Sequence, residues 1–98
     1  MKLLEQVRQA LRVKHYAYRT ELCYLRWIEQ YVRFHKTDQG FQHPALLGGA
    51  EVEAFLAHLA GGRHVSASTQ NQALGAMLFL YKHIVGAIVA TQGGGIGL

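Results

Sequence analysis

The chain has 98 residues, 50% of them hydrophobic, and a net charge of +4, which suits one small domain with one core and is too apolar for a disordered chain. Its single cysteine, Cys23, excludes an intramolecular disulfide and fits a reducing cytosol, no apolar run reaches the ~18 residues of a membrane span, and the charges within MKLLEQVRQA exclude a secretory signal. Eight Lys or Arg against three Glu give residues 1–36 a net +5, whereas two against three give residues 37–98 a net −1, the asymmetry expected when one surface meets a polyanion.

A first helix is predicted over 2–12, where Leu4, Val7 and Leu11 recur with a helical period, Leu3 lies beside them, and Glu5, Arg8, Gln9 and Arg12 face away. VKHYAY links it to a longer helix over 18–36. There Tyr24, Trp27, Ile28, Tyr31 and His35 share one face, flanked by Leu25, Val32 and Phe34. Opposite them Arg19, Arg26 and Arg33 recur every seven residues, so three guanidiniums line one side over about 21 Å; with Glu29 beside them they equally suit an ordinary solvated face. Residues 37–49 hold Gly, Pro and Asp without a helical period and form a loop. A third helix over 50–60 carries Val52, Phe55, Leu56 and Leu59 on one stripe, Glu51 and Glu53 at its positive N-terminus, and Gly61-Gly62 as its stop. The fourth runs over 66–85, with Leu74, Met77, Leu78, Tyr81 and Val85 as its buried stripe, Thr69, Gln72, Ala76 and His83 facing outward, and Gly86 as its end. Residues 87–98, with their run of glycines, are expected to be a mobile tail on a domain comprising 1–86. One proline and no series of short alternating segments leave an all-α fold of four helices.

No catalytic or metal constellation emerges. The histidines at 15, 35, 43, 58, 64 and 83 lack the close spacing of a zinc site, and Cys23 lies mid-helix without a nucleophile's signature. Glu51 and Glu53 point to different sides of their helix, and no Lys-Ser/Thr follows the glycines at 93–95. The expectation is a non-enzyme without cofactor, metal or small-molecule substrate. Nucleic-acid chemistry is better represented. RVKHYAYRT sets Arg12, Lys14, His15, Arg19 and Thr20 around two tyrosines at a helix start, where cations and helix amides suit phosphates. SASTQNQ, opening the fourth helix, offers Ser66, Ser68, Thr69 and Gln72, uncharged groups that donate to phosphates and reach base edges. The same two stretches also fit a charged linker and a helix cap with solvated neighbours.

Three stretches together, RTELCYLRWIEQYVRFH, GGAEVEAFLAHLA and STQNQALGAMLFLYKHIVG, resemble the N-terminal core-binding domain of tyrosine recombinases, most of all that of integron integrases. The resemblance covers residues 3–86, in order and with compatible spacing. It implies a four-helix SAM-like domain that forms one jaw of a clamp around duplex DNA in the bacterial cytoplasm, its second and fourth helices toward the major groove, and that also meets other recombinase subunits. On that basis Lys14, His15, Arg19, Thr20, Ser66, Ser68, Thr69 and Gln72 are the candidate contacts, with Arg26 and Arg33 flanking the backbone. Where relatives place a small hydroxyl residue to open the second helix, this chain has Tyr18. The family cleaves DNA with a Tyr nucleophile and Arg and His partners in a C-terminal domain, and none of Tyr16, Tyr18, Tyr24, Tyr31 or Tyr81 matches that nucleophile. Two roles are therefore expected: DNA binding as a non-catalytic half, or a protein-interaction module that pairs with a full-length recombinase, to which Ile88 and Val89 would add apolar surface.

Overall fold

The computed structural model describes residues 2–62 and 64–86, and these are helical with short connections. Helix α1 spans Lys2–Val13 and α2 spans Tyr18–Phe34; α3 spans Gly49–Ala57 and α4 spans Ala67–Phe79. The last two continue in wider, π-helical turns, His58–Gly62 after α3 and Leu80–Val85 after α4. Gly61-Gly62 therefore lies inside the continued helix instead of ending it at residue 60, and Gly86 keeps helical dihedrals where a stop was expected. Helix α2 ends at Phe34, two residues early, because the His35 and Lys36 amides turn back onto the Tyr31 and Arg33 carbonyls. The expected tail, 87–98, lies outside the described residues, with Ile88 and Val89 in it.

The loop between α2 and α3 is built from local bonds. Thr37 and Gly40 pair through their backbones, and Gly40 sits at φ +110°, a conformation side chains strain to adopt. Pro44–Leu46 form one 3₁₀ turn, opened by His43, whose Nδ1 accepts from the Ala45 amide. Glu51 reaches back to accept from the Gly48 amide at the start of α3, half of a capping box.

The core draws on all four helices: Leu3, Val7 and Leu11 from α1; Leu25, Trp27, Ile28, Tyr31 and Val32 from α2; Phe55 and then Leu59 from α3 and its continuation; Ala73, Ala76, Met77, Phe79, Leu80 and Ile84 from α4 and its continuation. Tyr31 is fully buried, yet its hydroxyl is not stranded. It donates to Tyr81 Oη at 2.7 Å, which donates to the Pro44 carbonyl at 3.0 Å, so one relay ties α2, the α4 continuation and the loop. Burial, and then the bond to Tyr81, push the Tyr31 hydroxyl pKa up, so it stays a donor at any ordinary pH.

Helix α4 is rotated from the face its sequence suggested. Of the predicted stripe only Met77 is fully buried; Tyr81 and Val85 are half-buried, Leu74 is exposed, and Leu78 is 62% exposed. Ala76, expected outside, is completely buried with Ala73. Helix α4 packs chiefly on α2, and the small side chains allow the two backbones to approach; a Cβ on Gly75 would lie 3.0 Å from Tyr24 Oη. Side-chain volume chose the face, because nearly every residue from 73 to 81 is apolar and the pattern alone does not.

Candidate nucleic-acid interface

The stretch RVKHYAYRT is a shaped corner. At the end of α1 the His15 amide donates to the Arg12 carbonyl and the Tyr16 amide to the Leu11 carbonyl, both at 3.0 Å, the paired bonds of a Schellman cap. His15 takes the left-handed position of that cap, at φ 62°, where glycine is usual. Tyr16 then folds onto α4, its ring 5.4 Å from Phe79 and 6.0 Å from Tyr24. The corner, with exposed Lys14 and His15, is thereby fastened beside the α2–α4 seam.

Helix α2 opens without a side-chain cap. Ala17 occupies the cap position, and the first bond of the helix is Glu21 N–H to the Ala17 carbonyl at 2.9 Å. The amides of Tyr18, Arg19 and Thr20 precede it and have no intrahelical acceptor, at the end of the helix where the peptide dipoles leave positive charge. Arg19, Thr20, Cys23 and Tyr24 from this helix meet Gln72 from α4 around a shallow cleft of about 330 Å³. Across the seam the Cys23 thiol donates weakly to Gln72 Oε1 at 3.5 Å, leaving the Gln72 amide nitrogen uncommitted and the side chain exposed.

The basic residues sort into two groups. Arg12 is committed within the fold: its Nε and Nη2 donate to Glu21 at 3.3 and 3.2 Å, and Arg8 Nε stands 3.7 Å from the same carboxylate, which is only 3% exposed as a residue. These pairs lock α1 to α2. Arg33 is held by Glu29 at 3.0 Å, in the ordinary solvated-face arrangement. Lys14, Arg19 and Arg26 are exposed and form no ion pair among the described residues. Arg26 lies two turns beyond Arg19 and does not line the cleft.

The serine-rich opening of α4 also divides. Ser66 is the N-cap: its Oγ accepts from the Thr69 amide at 3.2 Å and donates to Thr69 Oγ1 at 3.1 Å. Gln70 turns inward and donates to the Leu56 carbonyl at 2.7 Å, tying α4 to α3. Ser68 is exposed, and Gln72 alone of this group reaches the cleft. Periodicity gave no warning of Cys23 and Tyr24 in the cleft, or of Glu21 as a buried acceptor. The mid-helix Gly75 was the one available signal that something packs closely there.

At the other end of the seam His83 lies 4.8 Å from the Phe79 ring. Burial lowers its pKa below the ordinary histidine value, and the charges of Lys14 and Lys82 lower it further. Among the described residues no three His, Cys, Asp or Glu side chains gather as a metal site, and no helix is long and apolar enough to cross a membrane.

Over residues 3–90 the chain matches the family described as phage integrase, N-terminal SAM-like domain. It belongs to that family. The match runs four residues further than the motifs that carried the resemblance. Two curated relatives, each called integrase/recombinase, one from Escherichia coli and one from Pseudomonas aeruginosa, are 48% identical over 85 residues, 87% of this chain. Those 85 residues are 24% of each relative's length, so the chain corresponds to about a quarter of a recombinase. The all-α, four-helix SAM-like architecture expected from the sequence is the one observed.

Proposed function

We propose that this domain binds duplex DNA at recombination sites, as the non-catalytic part of a tyrosine recombinase of the integron-integrase kind, in the bacterial cytoplasm. The observation that carries the reading is the α2–α4 cleft, where Arg19, Thr20 and Gln72 converge beside three helix amides without intrahelical acceptors. Arg19 and the amides suit a phosphate; Gln72, with two donors and an acceptor on a planar amide, suits a base edge. Lys14 and His15 extend the cationic surface across the corner, and Arg26 continues it along α2. Ser66, Ser68 and Thr69 donate to the backbone near the α4 start, Ser66 while serving as cap.

With four to six phosphate contacts, log K falls against log salt with a slope of about −4 to −5. Arg19→Ala is expected to weaken binding to all duplexes alike, and Gln72→Ala to reduce discrimination between a recombination site and a scrambled one. Fluorescence anisotropy at several salt concentrations reads both. Unchanged binding by both variants sinks the contact assignment.

A second reading, pairing with another recombinase subunit, draws support from Leu74 and Leu78, which stand out of α4 on the side away from its core. An NMR titration separates the two. Shifts at 14–20 and at Gln72 on adding duplex favour the first, whereas no shift with duplex at low salt, together with shifts at 74 and 78 on adding a full-length recombinase, favours the second.

A further inference from the structure

We propose that Lys14, Lys82 and His83 form a subsite for a DNA backbone phosphate at the far end of the α2–α4 seam, and that His83 takes up a proton as the phosphate is seated. The inference rests on the DNA-binding reading above and adds residues and a pH dependence that the reading does not contain.

Three observations meet at this place. The ring series Tyr16–Phe79–His83, at 5.4 and 4.8 Å, joins the α1 corner to the α4 continuation, so Lys14 and His83 belong to one neighbourhood although they are far apart in sequence. Lys82 is exposed on the same turn as His83, and both lysines act electrostatically on the imidazole. Finally, Gln72 and His83 are eleven residues apart, about 16 Å along a helix, while the major groove is about 12 Å wide. An α4 helix with Gln72 at the base edges therefore brings its other end to the sugar–phosphate wall, where two ammoniums and an imidazole are what the backbone needs.

In the free protein a proton on His83 is disfavoured, because the ring is partly buried and the charges of Lys14 and Lys82 oppose it. A phosphate between Lys14 and Lys82 neutralises that repulsion and offers the imidazolium an acceptor. Among the described residues, the charged groups that reach His83 are Lys14, from the end of α1, and Lys82, on its own turn; Tyr16 and Tyr24 are titratable neighbours across Phe79. The sign follows. The unbound pKa is lowered from 6.5 and the bound one is raised, so the complex holds more protons than its parts and affinity increases as pH falls toward and below 6.5.

The test is an NMR titration of the His83 ring from pH 5 to 8 at fixed ionic strength, without DNA, with a saturating short duplex, and with inorganic phosphate alone. The duplex is expected to raise the His83 midpoint by about one unit, equivalent to about ten-fold tighter binding at the acid end, while inorganic phosphate leaves it unmoved. Lys82→Ala is expected to weaken binding to all sequences and to reduce the salt slope by about 1. Duplex binding with an unmoved or lowered His83 midpoint and an unaltered Lys82→Ala slope overturns the subsite and leaves the DNA-binding reading standing. An equal shift with inorganic phosphate makes it a free-anion site and also overturns the proposal. Absence of duplex binding at low salt overturns both.

Discussion

Replacing Gly75 by Ala sets helix propensity directly against the α2–α4 seam. A glycine in a helix interior costs about 1 kcal/mol relative to alanine, so the substitution gains that much from the backbone. The new Cβ would lie 3.0 Å from Tyr24 Oη, 3.7 Å from Cζ and 3.9 Å from Cε1, so the hydroxyl is the only atom in the way. Tyr24 is not free to swing aside, because its ring packs at 6.0 Å on Tyr16 and at 5.9 Å on Phe79. Such aromatic pairs contribute roughly 0.5–1.5 kcal/mol each, so displacing Tyr24 offsets about what the backbone gains. Gly75→Ala alone is therefore expected within about 0.5 kcal/mol of the parent. Tyr24→Phe removes the hydroxyl and leaves carbon at ordinary contact distance. In that background the same substitution is expected to stabilise by about 1 kcal/mol, a rise in Tm of about 4–8 °C for a domain of this size. The four proteins form a double-mutant cycle, measured by urea denaturation with thermal melts as a second readout. A coupling indistinguishable from zero, with Gly75→Ala worth the same in both backgrounds, would refute the claim that Tyr24 requires the glycine.

Two further outcomes are expected. His15→Gly relieves a left-handed residue and should raise stability by about 1 kcal/mol in urea denaturation while weakening duplex binding; unaltered affinity removes His15 from the interface. Arg12→Met strips Glu21 of its two closest hydrogen bonds and should cost about 1.5–3 kcal/mol, with a smaller loss of duplex affinity than Arg19→Ala. The reverse order of those two affinities would place Arg12 among the DNA contacts.

Much of the architecture was legible in the sequence, and the failures have specific causes. Helices α1 and α2 alternate apolar and charged residues strongly enough for the period to identify their buried faces, and Val7, Leu11, Ile28 and Tyr31 are where it puts them. Helix α4 offers no such contrast. Its face was decided by which side chains let α2 come close, so Ala73 and Ala76 went in while the larger Leu74 and Leu78 stayed out. The Arg12–Glu21 pair was invisible because it spans two helices and a corner, where no i, i+4 spacing applies. For the site, Arg19, Thr20 and Gln72 were named from residue type and from the family resemblance. Their convergence was not legible, since it depends on helix packing that also brings Cys23 to Gln72 across 49 positions. Local signals identified the parts of the cleft, and tertiary structure alone assembled them.

Three of the places where this chain departs from local rules lie at the α1 corner and along the α2–α4 seam. His15 holds a left-handed position that favours glycine; Gly75 interrupts a helix that alanine would strengthen; Ala17 stands where a hydroxyl or carboxamide would cap α2. The first and the last each cost stability of order 1 kcal/mol, and Gly75 forgoes helix propensity that the Tyr24 hydroxyl would offset, in a 98-residue domain with little to spare. The N-termini of α3 and α4 follow the rules, with the Glu51 bond to Gly48 and the Ser66 cap. On the DNA-binding reading proposed above, anion recognition gives each of the three a reason. An uncapped α2 keeps its first amides available, since a Ser or Asp at position 17 would accept from the Arg19 or Thr20 amide. A glycine at 75 leaves room for the Tyr24 hydroxyl, whose ring lines the cleft with Gln72. A histidine at 15 places a polar ring on a turn whose geometry the Schellman bonds already secure. It follows that Ala17→Asp, the usual stabilising choice at a helix N-cap, should strengthen the domain by about 1 kcal/mol and weaken its hold on duplex DNA. A variant that gained stability and bound as before would mean that the open α2 terminus has no part in recognition.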